Sequence, residues 1–501
     1  MGDNHNNGQT ETHQIEESLG VVPDITYSAF NQNYIEEGDG PLIINGDDGE
    51  ITRCDGVDSD FYSSNSRNGS GDGGDSGGTS PLAASMMIVN AALGAGLLNF
   101  PSAFHEAGGV VAANLVQLSL LMFIFPALLI LAYCSDWNKS KTLQEVLSFV
   151  WGRHVERATA LCIAIYCFGT CITFLIIIGD QFDRVFASLY GHYFCHQWFM
   201  NRAFTTVITS VLFILPFCYP KKIDFLKHIS SVGVVAVIYV TILIIVQYYK
   251  GDYVPGEIKT RPTAWTDTFL VVPTLCFGYQ CHVSVIPIYS CFKKRNLKNF
   301  AGSTFLALSI CVFTYTVAAT FGYLTFGSNI SSDILQNYDA RDPYILIAII
   351  AISIKTYTTY PILCFCGNAA VADLWVDSRA AQGVLEVDPR IKENFRLVSV
   401  TIWFIMTVVV AVLLPNIGSV IHLLGSLAAV FIFVFPGLCL LKMSERPNGE
   451  ARLAKPRMSL QFLAALFLAV GSFLFGVVLT NAIVYDFIYV KPEAMPLCIP
   501  K

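Results

Sequence analysis

The sequence predicts an all-α integral membrane protein with eleven transmembrane helices. Three observations predict it. The 501-residue chain is 53% hydrophobic and only 14% charged, with a mean hydropathy of +0.53, so it lacks the polar surface that a soluble protein of this size needs. Its apolar residues are gathered into long runs, and about 20 of them suffice to cross about 30 Å of hydrocarbon. Its Lys and Arg residues collect in alternate loops between those runs, as they do on the cytosolic side of membrane proteins.

The first element is a tail, residues 1–80. It holds 16 Asp and Glu against two basic residues, Arg53 and Arg67, so the formal net charge of −7 belongs to the tail. It is rich in Gly, Ser, Asn and Asp and cannot bury enough apolar surface to offset its ordering entropy; it reads as a disordered acidic cytosolic tail. No basic start precedes a short apolar core, so it is not a signal peptide. Tyr27-Ser28-Ala29-Phe30 has the tyrosine-x-x-bulky form that sorting adaptors read. That form favours a lysosomal or endosomal membrane, with the plasma membrane as the alternative.

The transmembrane body, 81–486, contains spans at 82–106, 109–134, 158–188, 203–219, 226–249, 265–291, 300–326, 343–374, 396–415, 417–441 and 459–485. The fourth is the shortest, and Pro415-Asn416 alone separates the ninth from the tenth. With the tail in the cytosol, the cytosolic loops hold 20 Lys and Arg and the opposite loops seven. Residues 487–501 then form a short non-cytosolic tail. Asn329-Ile330-Ser331 is a glycosylation acceptor pattern on the non-cytosolic side, whereas Asn138 and Asn68 head similar tripeptides on the cytosolic side and should be silent.

Between the second and third spans, Thr142 and Glu145 have capping-box spacing, and Leu143, Val146, Leu147, Val150 and Trp151 recur at helical intervals. This is a short amphipathic helix, either on the membrane face or packed on the bundle. At the end of the third span Asp180 and Arg184 stand four apart, in order for an ion pair at the membrane rim. The 15 cysteines lie mostly inside apolar spans, as small hydrophobes, with no disulfide framework and no metal spacing.

Two spans are broken at their middles. The first carries Gly94-Ala95-Gly96 and the sixth runs from Cys276 through Phe277, Gly278, Tyr279, Gln280 and Cys281 to His282. An unsatisfied backbone amide is costly in hydrocarbon, so such breaks line cavities or pack inside protein. A pair of them in corresponding halves points to a transporter binding site. At the first break the half-helix starting near Leu97 presents a positive dipole end to a substrate carboxylate. The freed carbonyls suit a hard cation, and the side-chain oxygen of Asn90 would complete its shell. The bland alternative is that small residues let helices pack closely. The second break offers Phe277 and Tyr279 as walls and Gln280 as a polar contact. His282 is either a pocket or proton-sensing residue or an ordinary interior histidine.

In the eighth span Thr356 and Thr359 share a face and are candidate sodium ligands, unless their hydroxyls bond back to their own helix. Lys355 lies about 18 Å into that span, at about 1.5 Å per residue. An intramembrane lysine is a functional candidate. It substitutes for a cation, pairs with a carboxylate, or snorkels.

The run Asn90-Ala91-Ala92-Leu93-Gly94-Ala95-Gly96-Leu97-Leu98-Asn99-Phe100-Pro101 resembles the first-helix motif of the amino acid/auxin permease superfamily. Phe277-Gly278-Tyr279-Gln280-Cys281-His282-Val283-Ser284-Val285-Ile286-Pro287 resembles the sixth-helix motif of its sodium-coupled neutral amino acid transporters, and Tyr360-Pro361-Ile362-Leu363 the eighth. The similarity covers about 80–485 and is nearest to a branch of lysosomal glutamine and asparagine exporters. It implies the leucine-transporter fold, two inverted five-helix repeats plus an eleventh helix. It implies substrate at Gly94, Ala95, Gly96, Leu97 and Cys276 to Gln280, and sodium at Asn90 with Thr359 or Thr356. Lys355 departs from that scheme and keeps proton coupling or exchange open.

The expected function is secondary active transport of a neutral amino acid coupled to sodium, with the amino acid, the sodium ion and membrane lipid as partners, sorting adaptors at the tail, and no cofactor or nucleic acid. The rival is an amino-acid-sensing transceptor that signals through the tail with little flux. The chain shows no His-Glu-x-x-His, no nucleophile–base pair and no paired intramembrane aspartates, so an enzyme is not expected.

Overall fold

The structure, a computed structural model, describes residues 79–191, 193–220, 224–292, 295–383, 388–414, 416–445 and 454–484. The acidic tail, its Tyr27–Phe30 motif, the C-terminal tail and several loop lysines and arginines on which the orientation rests lie outside the described residues. The chain divides into two units, 1–53 with 379–387, and 54–378 with 388–501. Of the first, 379–383 are described, at the end of a helix. The second contains the membrane helices.

Among the described residues nine stretches are long and apolar enough to cross a membrane. They are Val110–Ser135 (α3), Arg153–Tyr190 (α5), Gly233–Lys250 (within α8), Trp265–Ser290 (holding α9 and α10), Leu297–Asn329 (holding α11), Pro343–Ala381 (α12), Pro389–Leu413 (α13), Ile417–Glu445 (holding α14, Ile417–Ala429, and α15, Phe435–Glu445) and Met458–Val484 (mostly α16). Two shorter apolar helices, Pro81–Ala92 (α1) and Arg202–Phe213 (α6), stand where the first and fourth spans were expected. Each is interrupted. After α1 comes an irregular turn and then α2, Phe100–Glu106. After α6 the chain turns at Ile214 into a single helical turn with Pro216, Leu215–Cys218 (α7).

Helix starts are set by capping side chains that satisfy amides with no partner inside the helix. Ser80 accepts from the Ala83 amide, with Pro81 at the first turn of α1. Asn201, Asn296, Asp388 and Asn416 do the same for α6, α11, α13 and α14. The helix Leu143–Trp151 (α4) forms as expected, with the Thr142 hydroxyl accepting from the Glu145 amide at 3.2 Å. In return the Glu145 carboxylate accepts from the Lys141 amide, one residue before the cap. Leu143, Val146, Leu147 and Val150 are all buried, and Trp151 donates to the Leu438 carbonyl on α15, so α4 packs on the bundle.

One element had no signal in the sequence, and one expected pairing is replaced. The tenth span is divided by a π-helical turn, Val430–Val434, whose Phe431, Ile432 and Phe433 are buried. The expected Asp180–Arg184 pair does not form. Asp180 and Asp183 instead both meet Arg202 at the start of α6, at 2.5 Å and 3.0 Å, because α5 and α6 approach closely at Gly179.

Glycines fix how the elements cross. A Cβ on Gly425 of α14 would lie 2.2 Å from the Pro273 carbonyl oxygen, so α9 (Val272–Gly278) rests directly on α14 there. On α8 (Asp224–Lys250), a Cβ at Gly233 would lie 2.7 Å from Lys355 Cγ, so the lysine stem lies across the glycine.

Candidate functional site

The two breaks form where Gly and polar residues interrupt the apolar runs. α1 ends at Ala92, Gly94 is extended, and Ala95–Leu98 make one 3-10 turn before α2. α9 ends at Gly278, and Tyr279, Gln280 and Cys281 separate it from α10, His282–Ser290. The breaks meet. A Cβ on Gly96 would come within 3.2 Å of Gly278 Cα and 3.4 Å of a Phe277 ring carbon. In this conformation the space beside Gly96 is therefore taken by the backbone of the second break.

A tyrosine that the sequence did not single out joins them. Tyr315 of α11 (Leu297–Phe326) is fully buried, and its hydroxyl lies 2.7 Å from the Ala92 carbonyl oxygen and 3.0 Å from that of Gly278. Phe100 stacks on its ring at 4.1 Å, and Tyr279 meets it edge-on at 5.2 Å. Asn99 supplies a second link, accepting from the Thr274 hydroxyl of α9 at 2.9 Å.

Lys355 of α12 (Pro343–Ala381) is buried, and its ammonium donates to the Leu93 carbonyl that the end of α1 sets free. Among the described residues no carboxylate lies within salt-bridge distance of it, so the expectation of a carboxylate partner is replaced by a backbone one. Snorkelling is likewise excluded by its burial against Gly233. Gly94, Leu97, Leu98, Phe174, Ile177, Val237, Ile352, Lys355 and Thr356 line a small cavity behind the first break.

The Thr356 hydroxyl donates to the Ile352 carbonyl and that of Thr359 to the Lys355 carbonyl, both at 2.7 Å. Each keeps oxygen lone pairs for a ligand. Thr356 lines the cavity with Lys355, whereas Thr359 does not. Cys276 and Phe277 are buried on α9.

Several buried polar atoms here have no hydrogen-bond partner: Asn90 Oδ1, Tyr279 Oη, Gln280 Nε2 and both ring nitrogens of His282. Such orphans are rare and call for an explanation, because each forfeits its hydration. Here they gather on the two broken helices. The arrangement offers carbonyls and an amide oxygen to a cation or ammonium, and an amide nitrogen, hydroxyl and imidazole to a polar ligand. Among the described residues no group of His, Cys, Asp and Glu has the geometry of a metal site. Tyr315 and Gly233 carried no local signal, since their partners are distant in sequence.

A family described as transmembrane amino acid transporter protein matches residues 77–484. Sodium-coupled neutral amino acid transporter 7 of Danio rerio is 43% identical over 422 residues, covering 82% of this chain and 89% of that protein. Its Homo sapiens counterpart is 41% identical over 417 residues, with 82% and 89% covered. Solute carrier family 38 member 8 of Homo sapiens is 33% identical over 404 residues, with 79% and 92% covered. The crystal structure of MhsT in complex with L-phenylalanine superposes with a TM-score of 0.51 at 13% identity, covering 80% of this chain and 98% of that one, which is a likeness of fold.

Proposed function

Because this multi-pass membrane chain belongs to the transmembrane amino acid transporter family, and is a transporter and not an enzyme, we propose that it moves neutral amino acids of the glutamine and asparagine kind by alternating access around the two breaks. The meeting of the breaks at Gly96 and Gly278, clasped by Tyr315, is the observation that carries this reading. The reading takes eleven spans over 81–486, the first ten as two inverted repeats of the leucine-transporter kind, with the acidic tail cytosolic. Substrate carboxylate goes to the first break at Gly94, Ala95, Gly96 and Leu97, and the rest of the substrate to Cys276 through Gln280, with His282 beside it.

Sodium is the coupling ion in this reading. The names of the relatives support it, and the orphaned oxygen of Asn90 with the hydroxyl oxygens of Thr356 or Thr359 supplies ligands. A second reading is favoured by Lys355. Its ammonium sits on a carbonyl that would otherwise face a hard cation, so a tethered charge replaces a diffusible one, and transport proceeds by proton coupling or exchange. The exposed Asn329 is the glycosylation site of the non-cytosolic face. Delivery to lysosomes or endosomes, with the plasma membrane as alternative, goes with adaptors at Tyr27.

The test is uptake of a panel of labelled amino acids into proteoliposomes, with and without sodium and a proton gradient. Saturable, sodium-dependent uptake of a neutral amino acid is expected. Uptake that is equal without sodium overturns sodium coupling and upholds the Lys355 reading. Absence of flux for the whole panel overturns transport and favours the transceptor, whose signalling should then vanish on deleting residues 1–79.

A further inference from the structure

On the non-cytosolic face, residues 330–337 fold down onto the broken helices. The Ser332 carbonyl accepts from Asn99 Nδ2 at 3.0 Å, and Asn99 also holds Thr274, so this segment is tied to both breaks through one side chain. Ile334 and Leu335 are fully buried, Ile334 against Gly322 of α11. Ser332 lies beside Gly418 at the start of α14. The segment thus covers the outer end of the candidate site.

At its centre is Asp333, fully buried. One carboxyl oxygen caps the 3-10 turn Ile334–Asn337 by accepting from the Leu335 amide at 2.9 Å, and the other accepts from Gln181 Nε2 of α5 at 3.0 Å. The charges around it are unbalanced. On α5, Asp180 and Asp183 both engage Arg202 of α6, whose guanidinium also donates to the Ile176 carbonyl. Arg184 of α5 acts on Asp339 and Asp333 only at longer range. Asp339 is engaged by the Ser188 hydroxyl and the Arg341 amide. On α2 and α14 the titratable neighbours, Glu106 and His422, face each other at 3.7 Å. No cation within contact distance among the described residues answers Asp333, and a buried carboxylate without one is unfavourable unless it takes up a proton.

We propose that Asp333 is a proton-binding site whose occupation fastens the 330–337 segment over the outer end of the site, so that acid on the non-cytosolic side closes this face. Burial first, and then the charge of Asp180, push the Asp333 carboxyl up to about 8. Lifted into water, the group titrates near 3.9. Closing therefore takes up a proton between those limits. The closed form is favoured fully below about pH 4, and the advantage is lost as pH rises through about 8, by up to about tenfold per pH unit. The use of this segment as a gate rests on the transport reading; the proton site does not.

Hydrogen–deuterium exchange of the full chain in lipid nanodiscs from pH 5 to 8.5, divided by the intrinsic chemical rate at each pH, tests it. In the wild type the amides of 331–337 should gain protection as pH falls, by up to about tenfold per unit. Asp333→Asn should be protected at every pH. Asp180→Asn, which removes one of the charges that hold the proton on Asp333, should keep the transition but move it to lower pH. A flat wild-type profile, or a wild-type transition surviving in Asp333→Asn, overturns the proposal. Should Asp333→Asn not fold, an unmoved or upward-moved transition in Asp180→Asn overturns it as well. Exchange scores the proton site whether or not the protein carries amino acid, so a failed transport reading is told apart from a failed proton site.

Discussion

Lys355 was conspicuous in the sequence because a charge inside an apolar span has few tolerable explanations. What it touches was not visible, because Leu93 lies 262 residues away and Gly233, which makes room for its stem, looks like any helix glycine. Gly233→Leu should therefore act like a mutation of Lys355, by pushing the ammonium off the Leu93 carbonyl. Both Gly233→Leu and Lys355→Met are expected to insert normally and to lose most uptake; wild-type uptake in either would show that the contact is idle. Tyr315 teaches the same lesson. One buried tyrosine in an apolar run has no local mark of its role. Tyr315→Phe keeps the stack on Phe100 and removes the hydroxyl, at a cost of about 1 kcal/mol, or about fivefold in an equilibrium. Initial-rate kinetics should show a fall in apparent affinity of that order, and an unchanged value would mean the clasp is ornamental.

The broken helices were legible because Gly, Pro and polar residues in mid-membrane are local signals with a physical reason. The N-terminus of α4 was legible for the same reason. The π turn at Val430–Val434 was not, since nothing in Val430-Phe431-Ile432-Phe433-Val434 distinguishes it from regular apolar helix. The pairing of Asp180 was misjudged because helical spacing favours Arg184, whereas the crossing of α5 and α6 brings Arg202 closer. At this scale the contact of the two breaks is open to direct test. Gly96→Leu places a side chain where Gly278 Cα now lies at 3.2 Å, so the breaks must separate. Surface expression should survive and substrate uptake should be abolished. Normal affinity in this variant would show that the two backbones need not meet.

For the whole molecule, composition alone showed the membrane class, and charge placement supplies the orientation that the proposed function takes up. The distances between spans that are far apart in the chain came only with the fold. The proposed coupling ion belongs to this scale, because the ligands assigned to it come from α1 and α12 together. If sodium is held there, Asn90→Ala and Thr359→Ala should each raise the sodium concentration for half-maximal uptake, with little change in maximal rate. Identical sodium curves in both variants, at normal expression, would remove these residues from the site.

The Tyr315 clasp has an arithmetic consequence. A phenolic hydroxyl carries one proton, and here two carbonyl oxygens lie within its reach. The Ala92 carbonyl also accepts from the Gly94 amide at 2.8 Å, so when the phenol turns to Ala92 it is the Gly278 carbonyl that loses its side-chain donor. An α-ammonium group brings three donors. The junction of the two broken helices is thus short of hydrogen on its Gly278 side whenever the phenol turns away, a shortage of the kind that an amino acid's nitrogen is built to fill.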